Sequence, residues 1–328
     1  MRVAVIGHVE WIEFVRVAHM PAAGDIVHAR EAWQEPGGGG AVAAVQLARL
    51  AGDCTFFTTL GDDDLGRRAR GELSTLGPHV AALHRGVQRR AFTHIDDAGE
   101  RTITVIGERL TPLAADPLPW SELADIDAVY VTACDLPALR LARSARIVVA
   151  TARIAPLLRA AGVTLDALVG SARDPSEPYT VGDIEPAPRL VVRTAGGAGG
   201  SYQLAGGPLL TYAPAALPGP IVDAYGCGDS FAAGLTFALG DDKIYFVDLQ
   251  TRKIQKSIEL APGGTFRVLA VDGQGKRLYA SGNHEINDGL GAVINGQGKE
   301  FVLIDVDTGK KTYQHYSPVE SVQYLVSP

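Results

Sequence analysis

Through residues 1–240, short apolar runs alternate with longer stretches in which apolar side chains recur at helical spacing. A strand buried on both faces has no polar side to interleave, and a helix covering it needs one apolar stripe. The alternation therefore predicts parallel strands joined by crossover helices. Candidate strands are Val3–Ile6, Thr55–Thr59, Ala128–Thr132, Ile147–Ala150, Ala167–Val169 and Leu190–Arg193. Candidate helices are Ala41–Leu50, Leu65–Thr75, Pro137–Ser144 and Ser230–Leu239. Between them, Val15–Trp33 and Val87–Val105 interleave polar and apolar residues, with a turn signal at Asp96–Glu100. These read as exposed hairpins, a small β appendage on the α/β sheet.

After Gly240 the period changes. Segments 243–260, 266–282 and 301–317 each read strand, turn, strand, the middle one around Gly273–Gly275. Asp248, Thr251 and Lys253 of the first recur as Asp305, Thr308 and Lys310 of the last. Repeated antiparallel units suggest propeller blades, although two copies fall short of the roughly four that close a ring.

Composition marks the same junction. Residues 1–240 hold 20 Arg and neither Lys nor Asn, whereas residues 241–328 hold 7 Lys, 3 Arg and 3 Asn. Such a switch in residue choice predicts two parts, 1–240 and 241–328. Acidic residues exceed basic ones by 26 to 20 in the first and by 11 to 10 in the second. Neither part has the basic excess that would attract nucleic acid or an anionic membrane. The opening MRVAVIGHVEW reads as a first strand and not as a signal peptide, and no run approaches the ~18 apolar residues of a membrane span, so the expectation is a soluble, cytoplasmic protein. Three widely spaced Cys and eight scattered His support neither a disulfide framework nor a zinc site.

The most informative stretch is Ile221–Gly240. Gly226, Cys227 and Gly228 lead into Asp229, and an apolar helix follows. A glycine turn feeding a helix start leaves consecutive N–H groups pointing outward, an anion site made of amides and helix dipole. A carboxylate there can take a hydroxyl proton while the amides hold a transferring phosphoryl group. Taken alone, the same residues read equally well as an N-cap Asp behind a glycine turn. There is no GxxxxGK[ST] loop, and the first strand runs into GHVEW instead of GxGxxG, which disfavours the common nucleotide motifs.

DAYGCGDSFAAG, residues 223–234, resembles the DTxGAGDxFxAG signature of the ribokinase-like (PfkB) family of carbohydrate and nucleoside kinases. Four further stretches are similar to that family in the same order. They are the glycine-rich segment 36–52, the turn 60–73, the strand segment 99–110, and TAGGAGG at 194–200, which fits TxGxxG. The resemblance implies an α/β fold: a ribokinase-like parallel sheet with helices on both faces and a small β lid, followed here by an antiparallel β segment resembling propeller blades. It implies ATP with Mg2+ as cofactors and a small sugar or nucleoside as substrate, with a homodimer through the β lid as a further partner. Asp229 becomes the catalytic base, with Gly226, Cys227 and Gly228 as the anion hole. Thr194, Gly196, Gly199 and Asp223 become nucleotide-binding residues. Gly37, Gly38 and Gly39 fall on the sugar-binding segment.

Several positions depart from the pattern. Gly39 stands for the usual Lys and Val42 for the sugar-contacting Asn, while Glu10 and Ile12 stand where ribose-specific members carry Asn and Asp. Unpaired sugar hydroxyls against apolar surface argue against ribose itself, and Glu10, Glu13 and Arg109 are the nearest polar replacements. The family's NxxE motif, which helps hold Mg2+ through water, falls on Ser171 and Asp174. The helices that normally follow the catalytic Asp and cover the purine are replaced by a segment similar to a YVTN-type or amine-dehydrogenase-like propeller fragment. Either the chain joins a shortened kinase to that fragment, as the incompleteness of both halves favours, or the β segment substitutes for the missing wall. A separate reading makes the whole a non-catalytic binding or assembly protein.

Overall fold

The computed structural model describes residues 1–214 and 223–241 in full and, beyond them, the backbone of six strands between 243 and 315. Contacts divide the chain into two compact units, Met1–Asp241 and Asp242–Pro328.

The first unit is built on a nine-stranded sheet. In chain order its strands are β1 (Val3–Ile6), β4 (Cys54–Leu60), β5 (His79–His84), β8 (Ala128–Val131), β9 (Ile147–Thr151), β10 (Ala167–Ser171), β11 (Leu190–Thr194), β12 (Gly200–Leu204) and β13 (Leu209–Tyr212). The spatial order is β13-β12-β11-β10-β9-β8-β1-β4-β5. Strands β5 through β11 in that order are parallel, and β12 and β13 are antiparallel additions at one edge.

The central strands are buried on both sides, and β1 is also apolar on both. Val3 and Val5 pack with residues of α1 (Gly39–Ala51), α2 (Asp64–Thr75) and α5 (Cys227–Gly240). Ala4 and Ile6 pack on the opposite face with α3 (Leu136–Ala142) and α4 (Ala155–Ala161). Side chains alternate across a strand, so an unbroken run such as VAVI is stable only between two helix layers. Helices α2 and α3 begin on Asp caps: Asp63 accepts from the Gly66 N–H at 2.9 Å, and Asp135 accepts from the Ala138 N–H at 2.9 Å. No described helix is long and apolar enough to cross a membrane.

A four-stranded lid comprises β2 (Glu10–Arg16), β3 (Glu31–Gly37), β6 (Arg90–Ile95) and β7 (Arg101–Ile106), in the order β3-β2-β6-β7. Its turn lies at Asp96–Glu100, where the Asp96 carboxylate accepts from the Ala98 N–H at 2.9 Å. One lid face buries Ile12, Phe14, Ala91 and Ile95, with Trp33 and Tyr225 packed against them. Trp11, on the other face, is fully buried beneath the Arg68 guanidinium, 4.3 Å from its ring.

The described helices start and stop within a few residues of the periodic stretches. Elements that the sequence pattern did not announce are β5, α4, seven residues long and opened by a Pro, and β12 with the exposed edge strand β13 beside it. In the second unit, β14 (Lys243–Val247) pairs antiparallel with β15 (Ile254–Glu259). There β16 (Thr265–Val271), β17 (Arg277–Asn283), β18 (Glu300–Asp305) and β19 (Lys311–His315) form an antiparallel sheet in chain order. The expected turn at Gly273–Gly275 and the repeat positions Asp248, Thr251, Lys253, Thr308 and Lys310 lie outside the described residues.

Candidate active site

From β1 the chain runs outward to β4 and β5 before returning to β8 on the other side of β1. Connections diverge there, opening a crevice at the carboxyl ends of β1 and β8, where open parallel sheets commonly hold ligands. Residues Gly7 and His8 lie just past β1, and Thr132 lies just past β8. The starts of α1 and α5 meet at the same edge, because a side chain at Gly39 would lie 2.8 Å from Asp229 Oδ1. Gly39 thus stands directly against the acid.

Helix α5 has no side-chain cap, unlike α2 and α3, and starts on Gly226 in the left-handed region at φ 68°. A side chain there would also approach Val42 Cγ1 to 2.9 Å, so Val42 fills the space beneath the turn. The first helical bond runs from the Ser230 N–H to the Gly226 carbonyl at 2.8 Å. The amides of Cys227, Gly228 and Asp229 have no acceptor among the described residues. Cys227 and Gly228 are exposed, and open space surrounds the position of a Gly228 side chain. Burial pushes the Asp229 carboxyl up to about 6; Arg153 and Arg101 pull it down, whereas Glu177 and Glu10 push it further.

Tyr225 ties this turn to the glycine segment. Its hydroxyl accepts from the Gly38 N–H at 2.9 Å, its own N–H donates to Asp223 Oδ1 at 2.9 Å, and its ring meets Phe14 edge-on at 5.1 Å. Asp223 thereby fixes the loop locally, and Gly37 and Gly38 are both buried beside it. Sequence reasoning missed Tyr225, although it occupies the variable position inside the signature.

Glu10 is buried against the same turn: a side chain at Gly38 would lie 3.4 Å from Glu10 Cγ. Its Oε1 lies 2.9 Å from Arg89 Nε and 3.8 Å from His8 Nε2. Burial raises the Glu10 pKa, against the lowering influence of Arg89 and Arg109. His8 is pushed down to about 3 by burial and by Arg109, Arg89 and Arg153, so it is neutral. Glu13 lies on the opposite lid face from Glu10 and sits 3.8 Å from Arg90. The structure does not bring it to the crevice.

Past β10, the Asp174 carboxylate accepts from Ser176 through both its N–H and its hydroxyl, and from Arg153 at 2.6 Å. These bonds, led by the Ser176 hydroxyl, hold its pKa at about 2. Arg153 also reaches Glu177 at 2.6 Å, and Glu177 accepts from the Ser171 N–H at 2.7 Å. The Asp174 oxygens are therefore engaged, and among the described residues no three metal-ligating side chains converge. The described residues do not form a magnesium cage of their own. Neither Arg153 nor Glu177 was anticipated; Arg153 carried a signal as a charge two residues past the end of β9, and Glu177, six residues past β10, carried none.

Thr194 ends β11, and the segment to Gly199 turns back on itself through an Ala195 N–H to Gly199 carbonyl bond of 2.8 Å. Both Gly196 and Gly199 take positive φ. Beside this turn is a cavity of about 460 Å³, lined by Ala172, Arg193, Ala195, Ala198 and Tyr212 among others.

Residues 1–178 match the family model described as pfkB family carbohydrate kinase, more than half of the chain. An ATP-dependent ribose-1-phosphate kinase of Halopiger xanaduensis is 31% identical over 137 residues, 40% of this chain and 46% of that protein. The chain thus spans less than half the length of this curated relative. A putative ribokinase structure from Agrobacterium tumefaciens superposes with a TM-score of 0.59 at 22% identity, over 73% of this chain and 84% of that one. Arabidopsis thaliana ribokinase, complexed with ribose and ATP, gives 0.55 at 19% identity, over 73% and 85%. At these identities the likeness is one of fold, a ribokinase-like α/β sheet.

Proposed function

Since the chain belongs to the pfkB family of carbohydrate kinases, we propose that its first unit, taken as residues 1–240, transfers a phosphoryl group from ATP to a hydroxyl of a small sugar or nucleoside-like substrate. One observation carries the reading. A half-buried carboxylate with a pKa pushed up to about 6 stands in the first turn of a helix whose first amides are unclaimed among the described residues. Asp229 is the base that accepts the hydroxyl proton, and the amides of Cys227, Gly228 and Asp229 hold the charge of the moving phosphoryl group. Burial serves the base, because a pKa near the working pH balances proton affinity against availability of the ionised form.

Thr194, Gly196 and Gly199, with Asp223, hold the nucleotide beside the cavity next to β11. Mg2+ would arrive with the ATP phosphates, held by their oxygens and by water instead of a protein cage. Glu10 and the Gly37–Gly39 turn position the acceptor. Release of ADP across a panel of sugars and nucleosides tests the reading, with Asp229→Ala as control. Turnover that survives in the control removes Asp229 from the mechanism.

The 241–328 segment is read as a propeller-like fragment appended to the kinase. Its antiparallel sheets favour a second reading in which this segment pairs with other strands and the chain serves assembly. That reading predicts oligomers without ADP release, distinguishable by size-exclusion chromatography of the full chain alongside the activity panel.

A further inference from the structure

The charges around Glu10 exceed what a neutral sugar requires. Glu10 lies against Gly38, and the next residue, Gly39, lies against Asp229, so the two carboxylates flank one turn of backbone. At the Glu10 end, the Arg89 side chain is largely buried; its Nε lies 2.9 Å from Glu10 Oε1 as an ion pair and has no hydrogen-bond partner among the described residues. Its two terminal nitrogens have no acceptor among the described residues. The segment leaving β7 passes directly above: a side chain at Gly107 would lie 4.0 Å from Arg89 Cα. Two residues further on, Arg109 has neither an ion pair nor a hydrogen bond with any described residue.

Burial and, after it, the nearby Arg89 charge lower the Arg109 pKa, and Glu10 offsets part of that. Neutral His8 adds no counter-charge. Arg153 does not belong to this excess, because Asp174 and Glu177 already neutralise it. Glu10 is thus the one carboxylate beside two guanidinium groups, Arg89 in contact with it and the more exposed Arg109 acting on it at longer range. Desolvating them around a neutral sugar would leave donors unpaired, whereas an anion satisfies them.

We propose that the phosphoryl acceptor is an anionic sugar, its phosphate or carboxylate held by Arg89 and Arg109 and its free hydroxyl facing Asp229. The inference rests on the kinase reading and deepens it. In the transfer, the hydroxyl oxygen bonds to the γ-phosphorus and its proton passes to Asp229. The bond from the γ-phosphorus to the bridging oxygen breaks, and ADP leaves with that electron pair. The anionic group takes no part in bond making and sets orientation.

Calorimetric binding to the full chain, without nucleotide, tests this with two sets: ribose, ribose-1-phosphate and ribonate, then glucose, glucose-1-phosphate and gluconate. At least one anionic member is expected to bind about tenfold or more tightly than its neutral sugar, an advantage of about 1.4 kcal/mol. Added salt should weaken that advantage. The advantage is expected to fall about tenfold in Arg109→Ala and to recover in part in Arg109→Lys, as expected for a charge-assisted contact. It should persist in Arg49→Ala, a charge control at the exposed end of α1. Which anion gains separates a phosphate site from a carboxylate site. Neutral sugars binding as well as both anions, no binding by any member, or an advantage untouched by Arg109→Ala overturns the proposal. The two claims separate with ATP present: anion-selective binding without Asp229-dependent ADP release sinks the kinase reading and leaves the anion site. Asp229-dependent turnover without anion preference does the reverse.

Discussion

Replacing Asp229 with Asn is expected to stabilise the protein at neutral pH while abolishing phosphoryl transfer. The carboxyl moves from the ordinary 3.8 to about 6, chiefly through burial. A folded-state pKa above the unfolded one means that the native state holds the proton more tightly. The group therefore favours folding below the unfolded pKa and loses that contribution as pH rises through about 6. Above that pH the native state carries a charge it would shed, at about 1.4 kcal/mol per tenfold, or about 3 kcal/mol in all. Asn has the same shape and no charge, so the gain should be near zero at about pH 4 and full at about pH 8. For a unit of this size that corresponds to a rise in Tm of roughly 6 to 12 °C. Thermal unfolding of the two proteins across this range measures it. For the unsubstituted protein, kcat/KM should fall about tenfold per pH unit below about 6. An Asn variant no more stable at about pH 8 than its parent would refute the claim that burial sets this carboxyl.

Removing the Arg153 charge as Arg153→Met takes away the strongest influence that lowers the Asp229 pKa, so the acidic limb of kcat/KM should move above about 6; an unmoved limb separates the two groups. In Gly39→Ala, a methyl 2.8 Å from Asp229 Oδ1 displaces the carboxylate, and kcat is expected to fall about tenfold or more with Tm little changed. Tyr225→Phe leaves the Gly38 N–H without its acceptor and should cost about 1 to 2 kcal/mol in urea unfolding. Iodoacetamide at neutral pH should label Cys227 and block turnover, with ATP protecting. Cys54 and Cys134 are buried, with burial pushing both thiols up, Cys134 to about 12, so labelling of either in the native protein contradicts the packing.

The core was readable because its residues obey one rule along the chain. VAVI at β1 and AVYV at β8 are apolar at every position, which only a strand covered on both faces tolerates, and the observed bounds of β1 coincide with the run. The lid was readable as hairpins from interleaved polarity, yet its pairing was not: β2 lies parallel to β6, a long-range partner that no local turn announces. Strand β12 and the edge strand β13 left no trace for the opposite reason. With no fully buried position in either, they owe their strand state to hydrogen bonds with β11 and with each other more than to a buried face.

At the site, what could be read was backbone and what could not was side-chain partnership. Gly226 announces a turn because its positive φ and the nearby Val42 leave no place for a Cβ, Gly228 leaves the approach open, and Asp229 follows them in sequence. The Arg153 bonds to Asp174 and Glu177, and the Arg89 contact with Glu10, join residues from separate strands and loops, so no spacing encodes them. Those contacts alter the chemistry expected of the motif residues. Asp174 in isolation suggests a partner for hydrated Mg2+, whereas the same carboxylate bonded to Ser176 and Arg153 instead supports the guanidinium that lowers the Asp229 pKa. Without Arg153 the base would sit higher still and be protonated over more of the neutral range. The Asp174–Arg153–Glu177 group therefore acts on the electrostatics of the base, a role that the separate positions in sequence could not express.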